Sequence, residues 1–89
     1  MANHPSAEKR HRQSVKRAAR NQRVRTRVRS EVKRARTAIE GGDATGASQA
    51  VADAARGLDK AVAKGVLHRN NASRRISRLA KSAAKLASG

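Results

Sequence analysis

Residues 24–43, VRTRVRSEVKRARTAIEGGD, decide the fold of this 89-residue chain. Their apolar side chains recur at steps of 4, 4, 3 and 4, which is the spacing of one helical face. The members of this stripe are Val24, Val28, Val32, Ala35 and Ile39. Gly41–Gly42 then ends the helix, and Asp43 can cap a second one. The stretch therefore predicts a helix that packs through one apolar stripe and turns directly into another helix.

Upstream of this stretch, no Gly or Pro interrupts residues 6–40. We predict that Ser6 caps a first helix over residues 7–40, about 50 Å long. The apolar stripe does not continue before Val24, so residues 1–22 are predicted to overhang as a basic extension. Residues 23–89 would form the packed part of a single domain. The bases of the extension are expected to surround the helix axis and to lie among several phosphate backbones.

Downstream, the second helix is predicted to run from Asp43 to Lys64, with Gly65 as a left-handed C-terminal residue. Asn70 or Asn71 would cap a third helix that ends near Ala87. Both helices carry apolar stripes at helical spacing: Ala47, Val51, Ala54, Leu58 and Val62 in the second, and Ala72, Ile76, Leu79, Ala83 and Leu86 in the third. These features predict an all-α fold, an antiparallel three-helix bundle with a long, overhanging basic N-terminal helix.

The charge of the chain points to a polyanionic partner. Lys and Arg number 22 against six Asp and Glu, a net charge of +16. Residues 1–36 hold 13 bases and 2 acids, residues 37–67 hold 3 and 4, and residues 68–89 hold 6 and none. Such a surface repels itself unless it meets a polyanion such as nucleic acid. Because the chain has no Phe, Trp or Tyr, it cannot stack bases on an aromatic platform. Recognition of backbone and shape in folded, double-helical nucleic acid is therefore favoured.

Other classes of function lack the residues they need. There is no Cys, and His4, His11 and His68 are far apart, so no metal site is predicted. No paired carboxylates, nucleophile–base set or phosphate-binding Gly motif indicates an enzyme, a cofactor or a small-molecule substrate. No apolar run reaches the roughly 18 residues of a membrane span. We expect a cytoplasmic protein without a membrane partner and without homo-oligomers.

Three blocks of the sequence resemble a known family. The first is Met1-Ala2-Asn3, Ser6-Ala7, Lys9-Arg10, Gln13-Ser14, Arg17 and Asn21; the second is Ile39-Glu40 with Gly42-Asp43; the third is Lys64-Gly65, His68, Asn70, Ala72, Arg74, Ser77, Arg78 and Leu79. Together they are similar to the bacterial small-subunit ribosomal protein S20 family over nearly the whole chain. The resemblance implies a three-helix bundle that binds small-subunit ribosomal RNA directly, early in assembly. It also implies contacts with the 5′ domain and the long penultimate helix of that RNA.

Charge, spacing and resemblance together give a set of candidate RNA-binding residues. They are Asn3, Ser6, Lys9, Arg10, Arg12, Gln13, Lys16, Arg17, Arg20, Asn21, Arg23, Arg27, His68, Asn70, Arg74, Arg75, Arg78, Lys81 and Lys85. The predicted function is a structural constituent of the small ribosomal subunit that stabilises the RNA fold during assembly, bound to the ribosome beside other small-subunit proteins. The alternative is an architectural DNA-binding protein, although no large apolar wedge for a minor groove is visible.

Overall fold

The computed structural model describes residues 5–88 and consists there of three α-helices and no strand. Helix α1 spans Pro5–Glu40, α2 spans Ala44–Ala63, and α3 spans Arg69–Ser88. The predicted all-α fold with a long first helix is confirmed. Ser6 does not cap α1, because the helix already includes Pro5. Proline suits the first helical turn, where its missing N–H would have no partner within the helix.

The first turn forms as the sequence predicted. Gly42 adopts φ 77°, the left-handed conformation that ends many helices. The backbone N–H of Gly41 donates to the Thr37 carbonyl at 2.9 Å, so α1 ends with its last carbonyls partly satisfied. Asp43 caps α2, because its Oδ1 accepts a hydrogen bond from the Gly46 backbone N–H at 3.0 Å. Local chemistry alone therefore reverses the chain between α1 and α2.

The second turn differs from its prediction at one position. Gly65 has φ 75° and ends α2 as expected. The cap of α3 is His68 instead of Asn70 or Asn71: its Nδ1 accepts from the Asn70 backbone N–H at 3.1 Å. Its carbonyl also accepts from the backbone N–H of Asn71. Val66 is buried in the core, and its anchoring starts α3 earlier than Asn propensity suggests.

A thin core of small residues joins the helices. The cluster consists of Val28, Val32, Ala35, Ala54, Leu58, Ala61, Val66, Ala72 and Leu79. Leu58 of α2 is the largest fully buried side chain, and Ala54 and Ala61 of the same helix are buried beside it. Helix α3 packs chiefly against α2 and only lightly against α1. The described chain measures 66 × 21 × 14 Å, an elongated body in which α2 holds the other two helices together.

The N-terminal part of α1 extends beyond this core. Every residue from Ser6 to Arg20 is exposed, and Val15 alone among the large hydrophobic residues described is exposed, at 55%. Partial burial begins at Asn21 and Val24. The overhanging basic helix is therefore confirmed. Within residues 5–88, none of the helices has the length and apolar character needed to cross a membrane.

Candidate nucleic-acid interface

The candidate residues share one property in the structure, which is exposure. Asn3 lies outside the described residues. All the others are exposed except Asn21, which is half-buried. They fall into three groups: residues along α1, the His68–Asn70 turn, and a row on α3. Their positions leave them accessible to a ligand. Some of them also form hydrogen bonds or ion pairs within the described part of the protein, and the others do not.

Seven of the thirteen bases of α1 form a stripe. The six bases of the extension span an arc of about 160° by helical rotation, which corrects the expectation that they surround the helix. Because α1 is continuous from Pro5 to Glu40, the side chains of successive residues are rotated by about 100° around the helix axis. Seven bases recur at steps of three, four or seven residues and fall within an arc of about 80° by that geometry. They are Lys9, Arg12, Lys16, Arg20, Arg23, Arg27 and Arg34. This basic stripe is about 38 Å long, and Arg10 and Arg17 lie beside it.

On the bundle, the basic stripe becomes one wall of a groove between α1 and α2. The groove has a volume of about 630 Å³. Its α2 wall carries three bases at steps of four, Arg56, Lys60 and Lys64. The sequence analysis missed these three because the segment 37–67 has a net charge of −1. It also missed Arg34 of α1, which lies outside that segment. The step of four was the signal that would have revealed the α2 row. Together the two helices present a two-sided cationic channel.

Two acidic residues reduce the positive charge of the α1–α2 groove. Glu31 accepts a hydrogen bond at Oε1 from Arg27 Nε at 3.2 Å, and Asp53 pairs with Arg56. The other Glu31 oxygen, Oε2, is buried and has no hydrogen-bond partner among the described residues. It lies against Gly57, where an added Cβ would collide with it. Gly57 therefore leaves the space in which the Glu31 carboxylate crosses from α1 to α2.

Arg20 ties the extension to the bundle. Its Nη2 donates to the backbone carbonyl of Lys64 and to Asn21 Oδ1, each at 3.3 Å. The Lys64 carbonyl follows the end of α2, where backbone acceptors lack partners within the helix. A cation there also interacts favourably with the helix dipole. Arg20 therefore has a structural role besides its position in the basic stripe, and so does Arg27 through Glu31.

Bases also line a second cleft, on the other flank of α1. It lies between α1 and α3 and has a volume of about 910 Å³. Arg29, Lys33 and Arg36 project from α1, while Arg74, Arg75 and Arg78 project from α3. By helical rotation the three α1 bases lie about 100–160° from the middle of the basic stripe. The sequence analysis predicted the α3 members but missed the α1 members, because only tertiary packing shows which flank of α1 faces α3.

The candidates His68, Lys81 and Lys85 do not form a further binding site together. His68 is engaged in the α3 cap, and Lys81 and Lys85 lie beyond the cleft on the exposed row of α3. Among residues 5–88, no three His, Asp or Glu side chains come close enough to hold a metal ion. The interface therefore consists of the basic stripe and two cationic grooves on different flanks of α1, one shared with α2 and one with α3.

Comparison with known proteins gives a consistent match. The family model described as "Ribosomal protein S20" matches residues 2–84. A protein named "Small ribosomal subunit protein bS20" from Anaeromyxobacter sp. (strain Fw109-5) is 62% identical over 87 residues, covering 98% of this chain and 97% of the relative. A protein of the same name from Oleidesulfovibrio alaskensis is 56% identical over 81 residues, covering 91% and 93%.

Proposed function

The chain belongs to the ribosomal protein S20 family, and we propose that it is a constituent of the small ribosomal subunit that binds small-subunit ribosomal RNA directly. Its role is structural and not enzymatic: it neutralises phosphates and holds RNA helices in place while the subunit assembles. Family membership favours this role over that of an architectural DNA-binding protein. We place the protein on the ribosome in the cytoplasm, beside other small-subunit proteins.

The observation that carries this proposal is the basic stripe of α1. Seven aligned bases on a rigid helix can follow a phosphate backbone, and the three α2 bases continue the same surface. Arg makes planar, forked contacts with phosphate, and five of the seven stripe residues are Arg. The stripe lies along a double helix in this proposal, instead of being inserted among several backbones.

The finer assignment concerns the RNA region and the contacting residues. We propose that the extension, from Asn3 to Asn21, meets the 5′ domain or the long penultimate helix of the RNA. The exposed α3 row of Arg74, Arg78, Lys81 and Lys85 would meet a second RNA segment. Together with the extension, the row would let one protein bridge two helices. The bundle, residues 23–89, then serves as the spacer between these contacts.

The proposal is tested by measuring binding to small-subunit ribosomal RNA transcribed in vitro, over a range of salt concentrations. Seven phosphate contacts give a log–log slope of about −5 to −6, since each contributes roughly −0.7 to −0.9. A slope shallower than about −3 would show that most of the charge is merely solvated. Sedimentation of cell lysate should place the protein with small subunits, and a pool that migrates with DNA instead would contradict the proposal.

A further inference from the structure

We propose that the α1–α3 cleft is a separate binding site for a phosphodiester backbone, and that RNA in this cleft draws α3 onto α1. The inference rests on the proposed RNA-binding function and adds the α1 wall of the cleft to the α3 row that was proposed to meet a second RNA segment. The three α1 bases of the cleft, Arg29, Lys33 and Arg36, have no part in the basic stripe.

The charges of the cleft argue for an anionic ligand. Six bases line it, three from each helix, against one acid, Glu40. All six are exposed, and within residues 5–88 none of them forms an ion pair. The α1–α2 groove differs, because there Glu31 and Asp53 pair with Arg27 and Arg56. Of the two grooves, the α1–α3 cleft thus has the smaller internal compensation of its charge.

The packing argues that the ligand also acts on the fold. Helices α1 and α3 contact each other only lightly, and facing cations oppose a closer approach. Val32, Ile39 and Leu79 form the apolar floor beneath these cations. An anion between the two rows removes the repulsion and allows the floor to pack more tightly. Binding and helix packing are then coupled, because the ligand favours the closer arrangement.

The residues that line the cleft favour binding of the RNA sugar-phosphate backbone and not of a nucleobase. No aromatic side chain is available anywhere in the chain for stacking, and the polar lining consists almost wholly of cations. A phosphodiester strand presents a row of single negative charges that can meet bases from both walls at once. The chemistry is that of the RNA backbone, read without regard to sequence.

The first test uses the cleft variant Arg29→Gln, Lys33→Gln, Arg36→Gln, with binding to small-subunit ribosomal RNA transcribed in vitro. We expect an affinity loss of about tenfold or more and a salt slope reduced by about 2 to 3 units, since three contacts are removed. The matched control, Arg29→Lys with Arg36→Lys, keeps the charge and should keep the slope. If the cleft variant retains the parent slope, the cleft site is wrong.

The second test measures the α1–α3 distance. The chain has no cysteine, so Ser30→Cys and Ser77→Cys introduce the only two thiols for spin labels, both at exposed positions. In the parent sequence, RNA should shorten and narrow the distance distribution. In the cleft variant, the RNA-free distribution should already be narrower, because the repulsion is gone, and RNA should change it little. A parent distribution that RNA leaves unchanged would overturn the coupling.

A third variant separates this inference from the proposed function. Lys9→Gln, Arg12→Gln, Lys16→Gln neutralises three members of the basic stripe and leaves the cleft intact. If this variant loses affinity while the cleft variant does not, only the cleft inference fails. If both bind as tightly as the parent and with the same salt slope, direct RNA binding through these cations fails as well.

Discussion

The basic stripe predicts that the loss of RNA affinity depends on which side of α1 a removed base lies, whereas total charge alone predicts no such dependence. Arg12 and Lys16 lie on the stripe, whereas Arg10 and Arg17 lie roughly 100–120° from the middle of the stripe by helical rotation. All four are exposed bases of the same segment. The pair Arg12→Gln, Lys16→Gln and the pair Arg10→Gln, Arg17→Gln therefore remove the same charge from the same part of α1. Only the first pair removes bases from the stripe.

The expected magnitudes differ between the two pairs. A directed contact between a base and a phosphate contributes about 1 kcal/mol, below the 1.5–3 kcal/mol of a good charged hydrogen bond. Two such contacts amount to about 2 kcal/mol, or about thirtyfold in affinity. A base that acts only through diffuse attraction is worth about 0.3 kcal/mol, so the off-stripe pair should lose only about threefold.

The assay is equilibrium binding to small-subunit ribosomal RNA at several salt concentrations, with a melting curve for each variant. The on-stripe pair should lower the salt slope by about 1.4 to 1.8 units, and the off-stripe pair by much less. The melting temperatures should match that of the parent, because all four side chains are exposed. Equal losses for the two pairs would refute the stripe, since charge would then act without direction.

Three further predictions concern the fold. Leu58→Ala removes the largest fully buried side chain and should cost about 2–5 kcal/mol in a urea unfolding curve; a loss below 1 kcal/mol would mean that the core adjusts to fill the gap. His68→Ala should cost about 1 kcal/mol of stability through the lost cap, whereas Asn70→Ala, the control, should cost much less because only the Asn70 backbone contacts the cap. Gly57→Ala adds about 1 kcal/mol of helix propensity but displaces the Glu31 carboxylate, so calorimetric melting should show a larger gain in a Glu31→Ala background; equal gains in both backgrounds would contradict the contact.

The turns could be predicted from the sequence because their chemistry is local. Gly42 and Gly65 adopt positive φ, and Asp43 caps α2 through its own side chain. The start of α3 could not be predicted in the same way. Asparagine is a better cap than histidine by propensity, but buried Val66 fixes the preceding turn and makes His68 the residue at the cap position.

The candidate interface was predictable only in part, for a related reason. The list of exposed bases in the extension follows from composition and from the break in the apolar stripe before Val24. The direction of those bases follows from helix geometry and was wrongly expected to be all around the axis. The two grooves depend on which flank of α1 meets α2 and which meets α3. Arg34 and Lys33 are adjacent in sequence, yet they line different grooves, and no local pattern distinguishes them.

The continuity of α1 also restricts how its length can vary. One residue inserted between Asn21 and Gln22 would rotate everything before it by about 100° and shift it by 1.5 Å. Lys16 and the preceding stripe residues would then no longer align with Arg27, although no base had been lost. An insertion of seven residues would restore the angle to within about 20° and lengthen the helix by about 10 Å. The number of residues at the junction between the extension and the bundle therefore fixes the rotational alignment of the stripe. Single insertions or deletions there disrupt this alignment more than many substitutions do.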